Sequence, residues 1–224
     1  MFILAIDQST ATGSSAVLAD QRLIAARHWH ETRTARQQIF PCLNAILHEA
    51  RLEPSAIELY VAGVGPGSYS GLRVAVAAIT AMALPGKTAV YGVTSAEAIA
   101  WQVAQAENVT KVRIVGDARA ERWWTRLFLR QDDLMSPAGE WELVDPGVFK
   151  VGAAEVVATP DWPRLEARLP AMVPASTRLI ARAVFPEAET LARLAAARRA
   201  RGIASEPLIP IYLHPAVRRQ KASA

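Results

Sequence analysis

Two periodicities alternate along the chain. Residues 2–7 (Phe-Ile-Leu-Ala-Ile-Asp) are a short apolar run that stops on an acid, as a buried strand does. Ser15 to Ala19 and Arg22 to Trp29 read as two further strands. Asp20-Gln21 is short enough to join them as a hairpin. The period then lengthens. Ile39, Leu43, Ile46, Leu47 and Ala50 fall at helical spacing and predict a helix over Thr34 to Arg51, kinked or broken near Pro41. Leu59 to Gly63 predicts a fourth strand, which runs into Gly63-Val64-Gly65-Pro66-Gly67-Ser68-Tyr69-Ser70-Gly71. A second helix follows from about Ser70 to Leu84, stopped by Pro85-Gly86, and Thr88 to Val93 predicts a fifth strand. Thr94 with Glu97 forms a capping box that opens a third helix over 95–106. The order β-β-β-α-β-α-β-α predicts an α/β fold with a mixed sheet and helices on its faces. Lys111 to Asp117 and Arg122 to Arg130 read as another strand pair. The stretch 131–175, rich in Pro, Gly and isolated Trp, predicts short strands and long loops. Glu187 to Arg201 predicts a last helix before an extended tail. No internal repeat is visible in the sequence.

The Gly-rich run leaves a strand and opens a helix, where backbone N–H groups can receive an anion. No Lys-Ser/Thr pair follows its last Gly, so it is not a Walker loop. The spacing Gly65-x-Gly67-x-x-x-Gly71 is not the dinucleotide fingerprint, and no Ser has Gly at both −2 and +2 as in a nucleophile elbow. A tight strand-to-helix turn with no ligand explains the pattern equally well. Asp7 ends the first strand beside Gln8-Ser9-Thr10 and Gly13. A carboxylate there can hold a hydrated Mg²⁺ next to phosphates, or merely cap a turn. His28-x-His30 has no third ligand nearby and reads as an exposed strand end.

The helix after the Gly-rich run carries a different message. From Leu72 to Leu84 only Arg73 and Thr80 are polar. Leu72, Ala75, Val76, Ile79 and Ala83 make one apolar stripe; Val74, Ala77, Ala78, Ala81 and Met82 make the opposite side apolar too. A helix apolar all round needs cover all round. A further layer of the same chain or another chain must supply it, and the modest length favours another chain.

Composition adds limits. The chain has 224 residues, 51% hydrophobic and 21% charged, enough for a packed core without staples. A single Cys, Cys42, excludes an internal disulfide and a Cys₄ or Cys₂His₂ zinc site, and reads as a small buried helix residue. No secretory leader is legible. The uncharged apolar stretch Val74 to Gly86 is 13 residues, short of the roughly 20 that a membrane span needs. A cytoplasmic protein with no membrane partner is expected. The net charge of +4 is a weak signal for nucleic acid. Arg193, Arg198, Arg199 and Arg201, with the tail residues Arg218, Arg219 and Lys221, could face RNA, but a solvated helix end explains the first group.

Ile3-Leu4-Ala5-Ile6-Asp7-x-Ser9-Thr10, the run Gly65 to Val74 and Tyr91-Gly92-Val93-Thr94-Ser95-Ala96-Glu97-Ala98 together resemble the TsaB (YeaZ) family. Asp117-Ala118-Arg119 and Pro210-x-Tyr212-Leu213 fit as well. The resemblance is dense over 1–130 and thin beyond. It implies an actin/Hsp70/sugar-kinase-like (ribonuclease H-like) fold, with an N-terminal lobe over 1–108 and a reduced second lobe over 109–224. It implies a non-catalytic subunit of the machinery that makes threonylcarbamoyladenosine next to the tRNA anticodon. The implied partners are a TsaD-like catalytic subunit, a TsaE-like ATPase, a second copy when alone, and tRNA only indirectly. The expected interface is Ile39, Leu43, Ile46, Leu72, Val76 and Ile79. Asp7, Ser9, Gly65, Gly67, Ser68 and Gly71 would be a vestigial phosphate site. No catalytic residue, metal or cofactor is expected for the isolated chain, with ATP and Mg²⁺ reserved for the complex. An ATP-dependent phosphotransferase of the same fold is the alternative, and a glycoprotease-like peptidase ranks last. Two departures stand out. Gln8 follows the aspartate in place of the commoner Thr, and Thr32-Arg33-Thr34-Ala35-Arg36 stands where the family usually has His-Ser-Glu.

Overall fold

A computed structural model describes residues 1–32 and 38–213. The first five strands are β1 (Phe2–Asp7), β2 (Thr12–Ala19), β3 (Arg22–His30), β4 (Leu59–Gly63) and β5 (Ala89–Val93), in the order β3-β2-β1-β4-β5. The hairpin β2–β3 and the pair β1–β2 are antiparallel; β4 and β5 join parallel to β1. The parallel strands are buried on both faces and read as continuous apolar runs. Helices α1 (Ile39–Ala50) and α2 (Tyr69–Ala83) cover one face, packing Ile39, Leu43, Ile46, Ala75 and Ile79 on Leu4, Ile6, Val17, Tyr60 and Ala62. Pro41 falls in the first turn of α1, where its missing N–H costs nothing. The predicted start of this helix at Thr34 lies outside the described residues.

The second sheet repeats the first. Its strands are β6 (Lys111–Asp117), β7 (Trp123–Gln131), β8 (Leu134–Val144), β9 (Val156–Thr159) and β10 (Arg178–Ala183). Their order is β10-β9-β6-β7-β8, with β6–β7 and β7–β8 antiparallel and β9 and β10 parallel. Central strand, hairpin side and parallel side therefore correspond one to one, a repeat of topology that the sequence hides. The helical elements between its strands are shorter than those of the first sheet. A 3-10 turn (Pro146–Val148) stands where α1 stands in the first half, and the one-turn helices α4 (Trp162–Leu165) and α5 (Leu169–Met172) stand where α2 does.

Between the sheets lies α3 (Ser95–Glu107). Its Ala98 faces the first sheet's core while Ala96, Ile99, Ala100 and Val103 face the second's. This is the helix buried on nearly every side. Beside it α6 (Ala188–Ala200) returns to the first sheet, packing Leu191, Leu194 and Ala195 against Ile3, Leu18 and Val61. The residues after 187 thus complete the packing of the first lobe. Among the described residues no helix is long and apolar enough to cross a membrane.

Candidate functional site

The β1–β2 turn and the loop before α2 sit against each other. Asp7 is fully buried. Its Oδ1 accepts the Ser9 N–H and the Ser9 hydroxyl, both at 2.7 Å, and its Oδ2 accepts the Ser95 hydroxyl at 2.5 Å. Burial raises its carboxyl above the usual range, and the bonds from Ser95 and Ser9 only partly oppose that. The Gly65 N–H donates to Ser95 Oγ at 3.0 Å, the Ser68 N–H to the Ser9 carbonyl at 2.6 Å, and the Gly71 N–H to Ser68 Oγ at 3.3 Å, capping α2. The glycines permit this contact: a Cβ on Gly67 would stand 2.1 Å from Ser9 O, and one on Gly71 2.1 Å from Gln8 O. The six residues read as a phosphate site do converge: Asp7, Ser9, Ser68 and Gly71 are linked by hydrogen bonds, and Gly65 bonds Ser95. The loop meets two carbonyl oxygens of its own chain, and Ser9, Gly67, Ser68 and Gly71 also line the cleft described next.

A cleft of about 710 Å³ opens between the lobes, lined by Gln8, Thr10, Ser70, Arg119, Asp161 and Arg164 among others. Asp7 is not on its wall. Across the cleft Arg164 pairs with Asp117 at 3.2 Å, and Asp161 accepts the Asp117 N–H at 2.9 Å. Among the described residues no three His, Cys, Asp or Glu side chains cluster as metal ligands. His28 and His30 are exposed on β3, as their spacing suggested. The arrangement does not fit a hydrated Mg²⁺ held by Asp7 beside a nucleotide.

The interface expectation requires a correction of side. Ile39, Leu43, Ile46, Leu72 and Ile79 are all buried against the chain's own core, and Val76 is half-buried beside them. What α2 turns outward is Tyr69, Arg73, Val74, Ala77, Thr80 and Ala81, with Leu84 (75% exposed) just past its end. On the same side of the sheet Phe40 of α1 is 51% exposed. Beside Arg73 and Thr80, this outer face presents Val74, Ala77 and Ala81 exposed.

Comparison with known proteins identifies this architecture. The model of the family "TsaD: tRNA N6-adenosine threonylcarbamoyltransferase" matches residues 30–125. The Bacillus subtilis (strain 168) protein described as tRNA threonylcarbamoyladenosine biosynthesis protein TsaB is 26% identical over 165 residues, 74% of this chain and 69% of that one. An uncharacterized Mycobacterium tuberculosis protein is 30% identical over 127 residues, 55% of this chain and 58% of its own. The structure of YeaZ from Pseudomonas aeruginosa superposes with a TM-score of 0.79 at 25% identity, covering 94% of this chain and 100% of that one. The chain is similar to TsaB/YeaZ proteins in both sequence and fold. The α/β fold expected from the sequence is the fold of the YeaZ structure. Of the family's unusual segment here, Arg33 to Arg36 lies outside the described residues.

One cluster is not legible in the sequence. Glu97, taken as half of a capping box, receives only the first half: its N–H donates to Thr94 Oγ1 at 3.2 Å. Its carboxylate turns to Arg198 Nη1 at 2.8 Å, and Arg198 also meets Glu206 at 3.3 Å. Arg198 is 8% exposed, so it is no solvated helix end. The partners are 101 residues apart, which no local pattern reveals. Burial pushes the Glu97 carboxyl up to about 7, outweighing the Arg198 guanidinium. A carboxyl that holds its proton more tightly folded than unfolded stabilises most at low pH. That stability is full below pH 4.5 and is lost as pH rises towards 7. Between pH 5 and 8 the unfolding free energy from denaturant titration is expected to fall by about 2–3 kcal/mol more in the native chain than in Glu97→Gln. Parallel pH profiles of the two proteins would refute this.

Proposed function

We propose that the chain is a non-catalytic subunit that binds a TsaD-like catalytic subunit and activates it for threonylcarbamoyl transfer to the adenosine next to the tRNA anticodon. The observation that carries this reading is the outer face of α2, where Val74, Ala77, Ala81 and Leu84 stand exposed in a row. A contiguous apolar face on a helix of a folded protein marks an interaction site. The match of the TsaD family model over 30–125 supports the choice of partner, because that span contains α1, β4, α2 and β5. A partner with its own versions of α1 and α2 can pack helix pair on helix pair about a pseudo-twofold axis. A second copy of the chain uses the same face when the partner is absent. A TsaE-like ATPase joins the assembly, ATP with Mg²⁺ belongs to the complex, and tRNA is met only indirectly.

The inter-lobe cleft favours the second reading, an ATP-dependent phosphotransferase, but the burial of Asp7 speaks against it. Two measurements on purified proteins separate the readings. Mixed with the TsaD-like subunit of the same genome, the chain is expected to co-elute in gel filtration and to be required for modification of tRNA. Titrated alone with ATP and Mg²⁺, it is expected to give no micromolar binding heat. Separate elution, or modification at full rate without the chain, overturns the proposal.

A further inference from the structure

The last described residues form a strap. After α6 the chain doubles back along the edge of the first sheet, and Glu206 pairs antiparallel with Gly92 of β5. The Gly92 N–H donates to Ser205 Oγ at 2.7 Å and the Glu206 N–H to the Gly92 carbonyl at 3.1 Å. The Tyr91 hydroxyl faces the carbonyls of Ile203 and Ala204 at 2.7 and 3.0 Å. Arg198 fastens the start of the strap through Glu206 and the Ala204 carbonyl, at 3.3 Å each. Pro207 and Pro210 have no N–H to donate and hold the backbone extended. The Ile211 N–H then donates to the Val64 carbonyl at 2.8 Å, beside the loop that opens α2.

The strap thereby delivers one side chain to the start of α2. The Tyr212 ring lies 4.7 Å from the Tyr69 ring, centroid to centroid. The Arg73 guanidinium sits 5.2 Å from the Tyr69 centroid and donates to its hydroxyl at 2.6 Å. None of the three is buried: Tyr69 is 52% and Tyr212 40% exposed, and Arg73 is exposed too. Among the described residues Arg73 has no acidic partner within ion-pair distance. Two tyrosines in contact, their planes tilted by 33°, and an arginine, placed at a helix end yet left in solvent, have the composition of a binding anchor. They are continuous with Val74, Ala77 and Ala81 along the same helix face.

We infer that Tyr212, brought from the C-terminal strap, is an anchor of the α2 docking surface, packed against Tyr69 beside Arg73. This rests on the reading of α2 as the face for the TsaD-like subunit. The occupant is a helix of that subunit, with small residues opposite Ala77 and Ala81 and a carboxylate opposite Arg73. The docking surface is then assembled from two distant parts of the chain.

The test is calorimetric titration of the full-length chain against the TsaD-like subunit. Tyr212→Ala and Tyr69→Ala are each expected to weaken binding about 10-fold or more. The double variant should lose less than the product of the two, because the rings act together. Arg73→Ala, on the solvent side of the helix, should weaken binding and flatten its salt dependence. Melting temperatures should stay within about 2 °C of the native chain, since none of the three is in the core. Native affinity for Tyr212→Ala, with binding abolished in Ala77→Arg, overturns this inference and leaves the docking face standing. Native affinity for Ala77→Arg as well overturns both. Loss of self-association alone in Tyr212→Ala, with the subunit bound as before, assigns the anchor to a second copy and also overturns the inference.

Discussion

Replacing Gly67 by alanine lowers the melting temperature by about 10 °C, a loss of about 3–4 kcal/mol. The reason is local. The new Cβ would stand 2.1 Å from Ser9 O and 2.9 Å from Ser9 C, backbone atoms with no rotamer to yield. Ser9 cannot retreat alone, because its N–H and hydroxyl hold Asp7, which also receives Ser95 at the start of α3. Displacing the turn leaves a buried carboxylate short of donors, and an unsatisfied buried charge costs several kcal/mol. Gly147→Ala is the control, since nothing lies within 4 Å of its added Cβ. Thermal melts of the two variants decide the matter. Equal midpoints would show that the loop has slack where the structure has none.

Ala77→Arg is expected to abolish binding of the TsaD-like subunit, by at least 100-fold or about 2.7 kcal/mol, while the isolated chain melts as before. Ala77 is exposed at the middle of the outward face of α2, between Val74 and Ala81. Small residues there let a facing helix approach at the short end of the usual 8–10 Å between axes. An arginine adds both length and a charge that the closed interface would have to desolvate. Substitutions at Leu72 or Ile79 would not serve, since those side chains fill the core and would unfold the chain instead. Titration of the variant, with a melting curve as the fold control, reads both halves of the prediction.

That choice of residue shows what the sequence could convey. Both stripes of α2 were legible as apolar, but not which one meets the sheet. Leu72, Ala75, Ala78 and Ile79 go inward against the strands, and Val74, Ala77 and Ala81 go outward. The β/α order of residues 1–117 was readable because each period runs uninterrupted between turn residues. The strand β8 was not, because Pro137 and Gly139 break its alternation and its register with β7 shifts between Thr125 and Leu127. Asp7, Ser9 and the glycines were found together, but their purpose was not. A hydroxyl that will satisfy a buried carboxylate looks the same in sequence as one awaiting a phosphate. The Glu97–Arg198 pair is a non-local event that only the completed fold assembles.

The return of α6 to the first sheet fixes an order of events on the ribosome. Ile3, Leu18 and Val61 point at a helix made of residues 188–200. While the chain is being synthesised, that face of the sheet has no cover from α6, although all five of its strands have long since emerged. The nascent first lobe therefore exposes a broad apolar surface until its last helix is released, which is the kind of surface chaperones hold. Fragments ending near residue 108 carry the same exposed face and should aggregate rather than fold.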